Sequence, residues 1–158
     1  LVARRRIRKQ TYMSKEEVKQ EHKNAEGDPH LKGAIRSRQI AMSRSRMMSD
    51  LPKADVVMVN PTHVAVALAY DPARGAPRVL AKGAGAIATK IREKATEHRI
   101  PMVQNIELAR TLYKAVEIGQ EIPPEMYVAV ARVLAFVMSL KAKGAAAGLH
   151  RQPTTPVA

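Results

Sequence analysis

Two valine-rich runs, Asp-Val-Val-Met-Val at 55–59 and His-Val-Ala-Val-Ala-Leu-Ala-Tyr at 63–70, are separated only by Asn60-Pro61-Thr62. Short apolar runs rich in β-branched residues suit buried strands, and Asn and Pro between them predict a tight turn. Further strands are predicted at 79–81 and 101–104. Between and after them lie helical patterns. Residues 83–98 place Ala84, Ile87, Ala88, Ile91 and Ala95 on one face, and residues 107–118 do the same with Leu108, Leu112, Tyr113 and Val116. Ile122-Pro123-Pro124 introduces a last helix to about Leu140, apolar on most sides, with Pro124 suited to its first turn. Strands alternating with helices predict a small α/β sandwich, with about four strands flanked by about four helices.

The chain has 158 residues, 46% of them hydrophobic, which is the composition of one globular domain plus an appendage. It has no cysteine, so disulfides, thiolate zinc sites and cysteine nucleophiles are excluded together. The longest apolar stretch, 126–140, is shorter than a bilayer span and is interrupted by Arg132, and no secretory signal is visible.

The net charge of +13 is uneven: residues 1–49 hold 13 Lys and Arg against 5 Asp and Glu, a balance of +8. Ser14-Lys15-Glu16-Glu17 has the form of a capping box and predicts a helix from Ser14 to about Ala25. Gly27-Asp28-Pro29 breaks it. A second helix is predicted from His30 to Met48, with Leu31, Ile35, Ile40 or Met42, and Met47 as a thin apolar stripe. Residues 1–49 thus read as a basic helical arm, 50–141 as the α/β domain and 142–158 as a disordered tail. A basic cluster at Arg4-Arg5-Arg6-Ile7-Arg8-Lys9 directly after a Leu start suggests an upstream transmembrane helix, with the arm on its cytoplasmic side. The arm could bind phosphates of nucleic acid or anionic lipid headgroups, or it could be a solvated surface. With Tyr12 its lone aromatic, it lacks a base-stacking signature.

The Asn60-Pro61 bond carries the most specific chemistry. Asparagine ordinarily deamidates when the next backbone nitrogen attacks its side chain, but Pro61 has no N–H to supply that nucleophile. The remaining route is the reverse attack, in which the Asn60 amide nitrogen adds to its own main-chain carbonyl and expels the Pro61 nitrogen, cutting the chain. A rate of roughly 10⁻³ per second corresponds to a barrier of about 21 to 22 kcal/mol. Positioning therefore needs help from proton removal at the amide and proton donation to the departing nitrogen, with His63 the nearest titratable side chain and water or backbone groups as alternatives. In the plainer reading, Asn60-Pro61 is only a turn, and the chain is a basic adaptor for nucleic acid or anionic lipid.

Other motifs are weaker. Lys82-Gly83-Ala84-Gly85 lacks the spacing of a phosphate loop and reads as a strand-to-helix turn. Histidines 22, 30, 63, 98 and 150 show no metal-ligand spacing, so no metal is expected, and nothing calls for another cofactor.

An ordered set of blocks resembles the FlhB/YscU/SpaS family of type III protein-export switch components. The blocks are Glu26-Gly27-Asp28-Pro29-His30, Pro52-Lys53-Ala54-Asp55-Val56-Val57, Asn60-Pro61-Thr62-His63, Ala76-Pro77, Ala81-Lys82-Gly83-Ala84-Gly85, Leu108-Ala109-Arg110 and 117–123. The first is closer to the flagellar branch than to the injectisome branch. The resemblance implies an integral inner-membrane protein whose cytoplasmic region starts near this arm. It implies self-cleavage between Asn60 and Pro61 within Asn60-Pro61-Thr62-His63, with fragments 1–60 and 61–158 staying together. The implied function is a switch of export from rod and hook subunits to filament-type subunits, triggered by a hook-length ruler protein. This is a single self-cutting event rather than turnover of an external substrate. Implied partners are other flagellar export proteins and the exported subunits, with Ala76, Pro77, Ala131 and Leu134 matching a docking patch; Ala131 and Leu134 also suit plain helix core. Val64, Ala34 and 104–107 depart from the pattern common among relatives.

Overall fold

The computed structural model describes residues 28–152. The first strand, β1 (Val56–Asn60), is buried along its whole length, and β2 (Val64–Ala69) is buried at all but its last residue. They form an antiparallel hairpin in which Val56 faces Leu68 and Asn60 faces Val64. β3 (Arg78–Ala84) pairs antiparallel with β2, whereas β4 (Met102–Gln104) runs parallel to β1. A short strand β5 (Leu149–Arg151) adds parallel to β4, giving the order β3-β2-β1-β4-β5.

The period-two geometry of strands sorts side chains onto two faces. Val56, Met58, Val66 and Leu68 join one core with Leu108 and Leu112 of α3 (Ile106–Ala115) and Val130, Val133 and Val137 of α4 (Tyr127–Ala142). Val57, Val59, Ala65, Ala67 and Ala81 join a second core with Ala88, Ile91 and Ala95 of α2 (Ala86–Glu97) and with Met47 and Leu51. Helices cover both faces of the sheet, so β1 is apolar at nearly every position rather than alternating. The second face is lined by alanines on β2 and β3, and α2 approaches closely there: a Cβ added at Gly83 would lie 2.3 Å from Ile87 Cγ2.

The helix α1 (Pro29–Asp50) is the one predicted at 30–48. Its Leu31, Ile35, Ile40 and Met42 are exposed, and only Met47 is buried. The chain divides into two units, residues 1–44 and 45–158; the sheet and both cores lie in the second. The capping-box helix predicted at 14–25 lies outside the described residues. Among those described, no helix is long and apolar enough to cross a membrane.

Two sequence expectations are corrected. β3 continues to Ala84 and α2 starts only at Ala86, because Lys82, Gly83 and Ala84 stay paired with Val66, Ala65 and Val64. The residues after 142 are not all tail: Leu149–Arg151 pairs with Met102–Gln104 through the backbone, and the Met102 N–H donates to the Gly148 carbonyl at 2.9 Å. The α/β sandwich expected with about four strands is observed, with β5 as the fifth strand at the sheet edge.

Candidate functional site

Asn60 ends β1 and is 8% exposed, the one buried polar residue among the described core positions. It lies at the carboxyl ends of the parallel pair β1 and β4, where Val59 is registered with Gln104; open α/β sheets gather functional groups at such ends. Pro61, Thr62 and His63 make a three-residue connection to β2. Pro61 is half-buried, while Thr62 and His63 are exposed. All four sequence-predicted residues of the motif thus sit in one turn.

Three hydrogen bonds define that turn. The His63 N–H donates to the Asn60 carbonyl oxygen at 3.0 Å. The Gly85 N–H donates to the His63 carbonyl at 3.0 Å, and the Arg92 guanidinium donates to the Pro61 carbonyl. Gly85 precedes α2 with φ +58°, a conformation that glycine adopts without the penalty a Cβ would bring. The loop is therefore anchored to α2 at Pro61 and at His63, on either side of Thr62.

Behind the turn, Asn105 ties three segments together. Its N–H donates to the Val59 carbonyl at 3.2 Å, its side-chain oxygen caps α3 through the Leu108 N–H at 3.1 Å, and its Nδ2 donates to Gln152 Oε1 at 2.8 Å. In front lies an open cleft lined by Asn60, Thr62, His63, Val64, Arg110, Tyr113 and Lys114. Tyr113 is held by Lys82, whose Nζ donates to the Tyr113 carbonyl at 2.9 Å and lies 5.3 Å from its ring centroid.

The arrangement suits intramolecular attack on the Asn60 carbonyl. Its oxygen already accepts an N–H, and that donor would stabilise the negative charge that develops on attack. Arg92, Gly85 and the cleft residues of α3 were not found by sequence reasoning. Arg92 is 31 positions from Pro61, and only the packing of α2 on the sheet brings them together.

The four residues matched to a docking patch divide in their exposure. Ala76 and Leu134 are half-buried against the same core, Ala131 is exposed, and Pro77 is buried with its carbonyl accepting from the Ile122 N–H at 2.9 Å. Among the described residues no group of three or more His, Asp or Glu is placed to hold a metal ion.

Comparison with known proteins places this architecture. The family model described as the FlhB HrpN YscU SpaS Family matches residues 1–137. The chain belongs to this family. Flagellar biosynthetic protein FlhB of Yersinia enterocolitica is 55% identical over 84% of this chain and 35% of its own length. FlhB of Salmonella typhimurium is 52% identical over 92% of the chain and 38% of its own length. The chain thus spans little more than a third of these curated relatives. The crystal structure of the cytoplasmic domain of FlhB from Shewanella putrefaciens is 40% identical and matches with a TM-score of 0.63, covering 73% of this chain and 96% of that one. A mutated EscU C-terminal domain matches at 32% identity and a TM-score of 0.55, over 57% of this chain and 91% of its own. The FlhB/YscU/SpaS relationship inferred from the sequence blocks is therefore established, and the α/β fold is the one these domains share.

Proposed function

We propose that this chain is the cytoplasmic part of a flagellar type III export component that cuts its own Asn60–Pro61 bond once and thereafter acts in selecting export substrates. The observation that carries the reading is the clamped turn: a buried Asn60 whose carbonyl accepts the His63 N–H, followed by a proline that closes the ordinary deamidation route. In the reaction, Asn60 Nδ2 bonds to the Asn60 carbonyl carbon and the carbon–nitrogen bond to Pro61 breaks. A proton leaves Nδ2 and another reaches the Pro61 nitrogen, giving a succinimide at residue 60 and a free secondary amine at residue 61. Water then opens the succinimide. Exposed His63 is placed on the turn to move a proton, as is solvent from the open cleft.

Once cut, fragment 1–60 keeps β1, which pairs with β2 on one side and β4 on the other and contributes Val56, Met58, Val57 and Val59 to the two cores. Losing one peptide bond removes none of those contacts, so the fragments stay together while the turn gains freedom to rearrange. That freedom is the basis of the switch from rod and hook subunits to filament-type subunits. Its partners are the other flagellar export proteins, the exported subunits and a hook-length ruler, at the cytoplasmic face of the inner membrane.

Intact-mass analysis under denaturing conditions tests the reading. Wild type is expected as fragments 1–60 and 61–158, and Asn60→Ala as a single chain. Folded wild type that stays whole would contradict it.

A further inference from the structure

We infer that Arg92 is a positioning residue for the self-cleavage, holding the departing segment in place from α2. This deepens the proposed function and rests on it. Arg92 is half-buried on α2, and its Nη1 donates to the Pro61 carbonyl, the first acceptor on the leaving side of the scissile bond. Its Nη2 donates to Thr89 Oγ1 at 3.3 Å, and Thr89 Oγ1 in turn donates to the Gly85 carbonyl at 3.3 Å. Gly85 is the residue whose N–H holds the His63 carbonyl. A single continuous network on the first two turns of α2 therefore fixes both ends of the Pro61–His63 segment.

The chemistry requires such a hold. As the Asn60 carbonyl carbon becomes tetrahedral, the Pro61 nitrogen must lose amide conjugation while its lone pair keeps the alignment needed for expulsion. A loop free to swing would dissipate that alignment. A guanidinium on the Pro61 carbonyl restricts rotation of this residue and so keeps the departing nitrogen aligned. Arg92 does not touch the reacting carbonyl, and acts only through Pro61.

The test follows freshly synthesised full chain in cell-free translation and measures the half-time of cutting on denaturing gels. Arg92→Ala is expected to slow cutting roughly 10- to 100-fold, as misplacement of a reacting group does, with Arg92→Lys intermediate because it keeps the charge but loses the planar fork. Added methylguanidinium is expected to accelerate Arg92→Ala and leave wild type unchanged. Ile91→Val, in the core on the same helix, controls for stability: it should lower Tm without changing the half-time by more than about twofold. Arg92→Ala that cuts within about twofold of wild type overturns the inference while leaving self-cleavage standing. Slowing by Ile91→Val equal to that by Arg92→Ala, with no methylguanidinium effect, also overturns it. Wild type that never cuts overturns both.

Discussion

The backbone N–H of His63 and the carbonyl oxygen of Asn60 are hydrogen-bonded at 3.0 Å, closing the turn directly over the carbonyl that self-cleavage would attack. This bond is main-chain, so it survives replacement of the imidazole. It separates two roles that residue 63 could have: a backbone donor to the developing oxyanion and a side-chain carrier of protons.

His63→Ala accordingly retains part of the reaction. Loss of a general acid or base costs about 10²- to 10⁴-fold, while the turn and its backbone donor persist. The expected outcome is slow but measurable cutting, against none for Asn60→Ala, read by mass spectrometry over days of incubation. Equal rates for His63→Ala and wild type would leave solvent as the proton carrier.

Met58 is fully buried on the β1 face that packs against α3 and α4, so Met58→Ala should lower stability by about 2 to 5 kcal/mol. In cut protein the same change should release fragment 1–60 at a lower urea concentration, monitored by size-exclusion chromatography. Uncut Asn60→Ala carrying Met58→Ala should unfold without releasing a fragment.

Gly83→Ala has no room to be accommodated. The added carbon would lie 2.3 Å from Ile87 Cγ2 and 3.3 Å from the Ala88 nitrogen, and the second of these is backbone. Displacing α2 from the sheet should cost about 1 to 3 kcal/mol, seen as a fall in Tm. Because α2 carries Arg92 and Gly85 caps its start, cutting should slow as well.

Asn105→Ala removes the α3 cap on the Leu108 N–H and the contact to Gln152. A loss of about 0.5 to 2 kcal/mol is expected, with faster amide exchange in the first turn of α3. Asn105→Asp should recover most of the capping, since a carboxylate at a helix N-terminus also meets the favourable end of its dipole.

The strands at 56–60 and 64–69 were legible because their residues are buried on both faces, and continuous β-branched apolar runs have few other uses. The helical faces were legible for the complementary reason: Ala88, Ile91 and Ala95, and Leu108 and Leu112, recur at helical spacing and are buried. β5 was not legible. Leu149 and Arg151 are exposed and the strand is held by backbone pairing to β4, which no side-chain pattern encodes. The extension of β3 through Lys82-Gly83-Ala84 was hidden likewise, since the glycine at 83 reflects the close approach of α2 rather than strand propensity.

What the sequence determined by itself is the chemistry at Asn60-Pro61: which atom can attack and which bond can break follow from covalent structure, because proline has no N–H wherever it sits. The tertiary structure decided what surrounds that bond. Arg92 and Gly85 reach the turn only because small residues on β2 and β3 let α2 pack closely against the sheet, and Asn105 reaches β1 only through the parallel pairing with β4. These contacts span tens of residues, and their geometry depends on side chains from both partners, so no local pattern can state them.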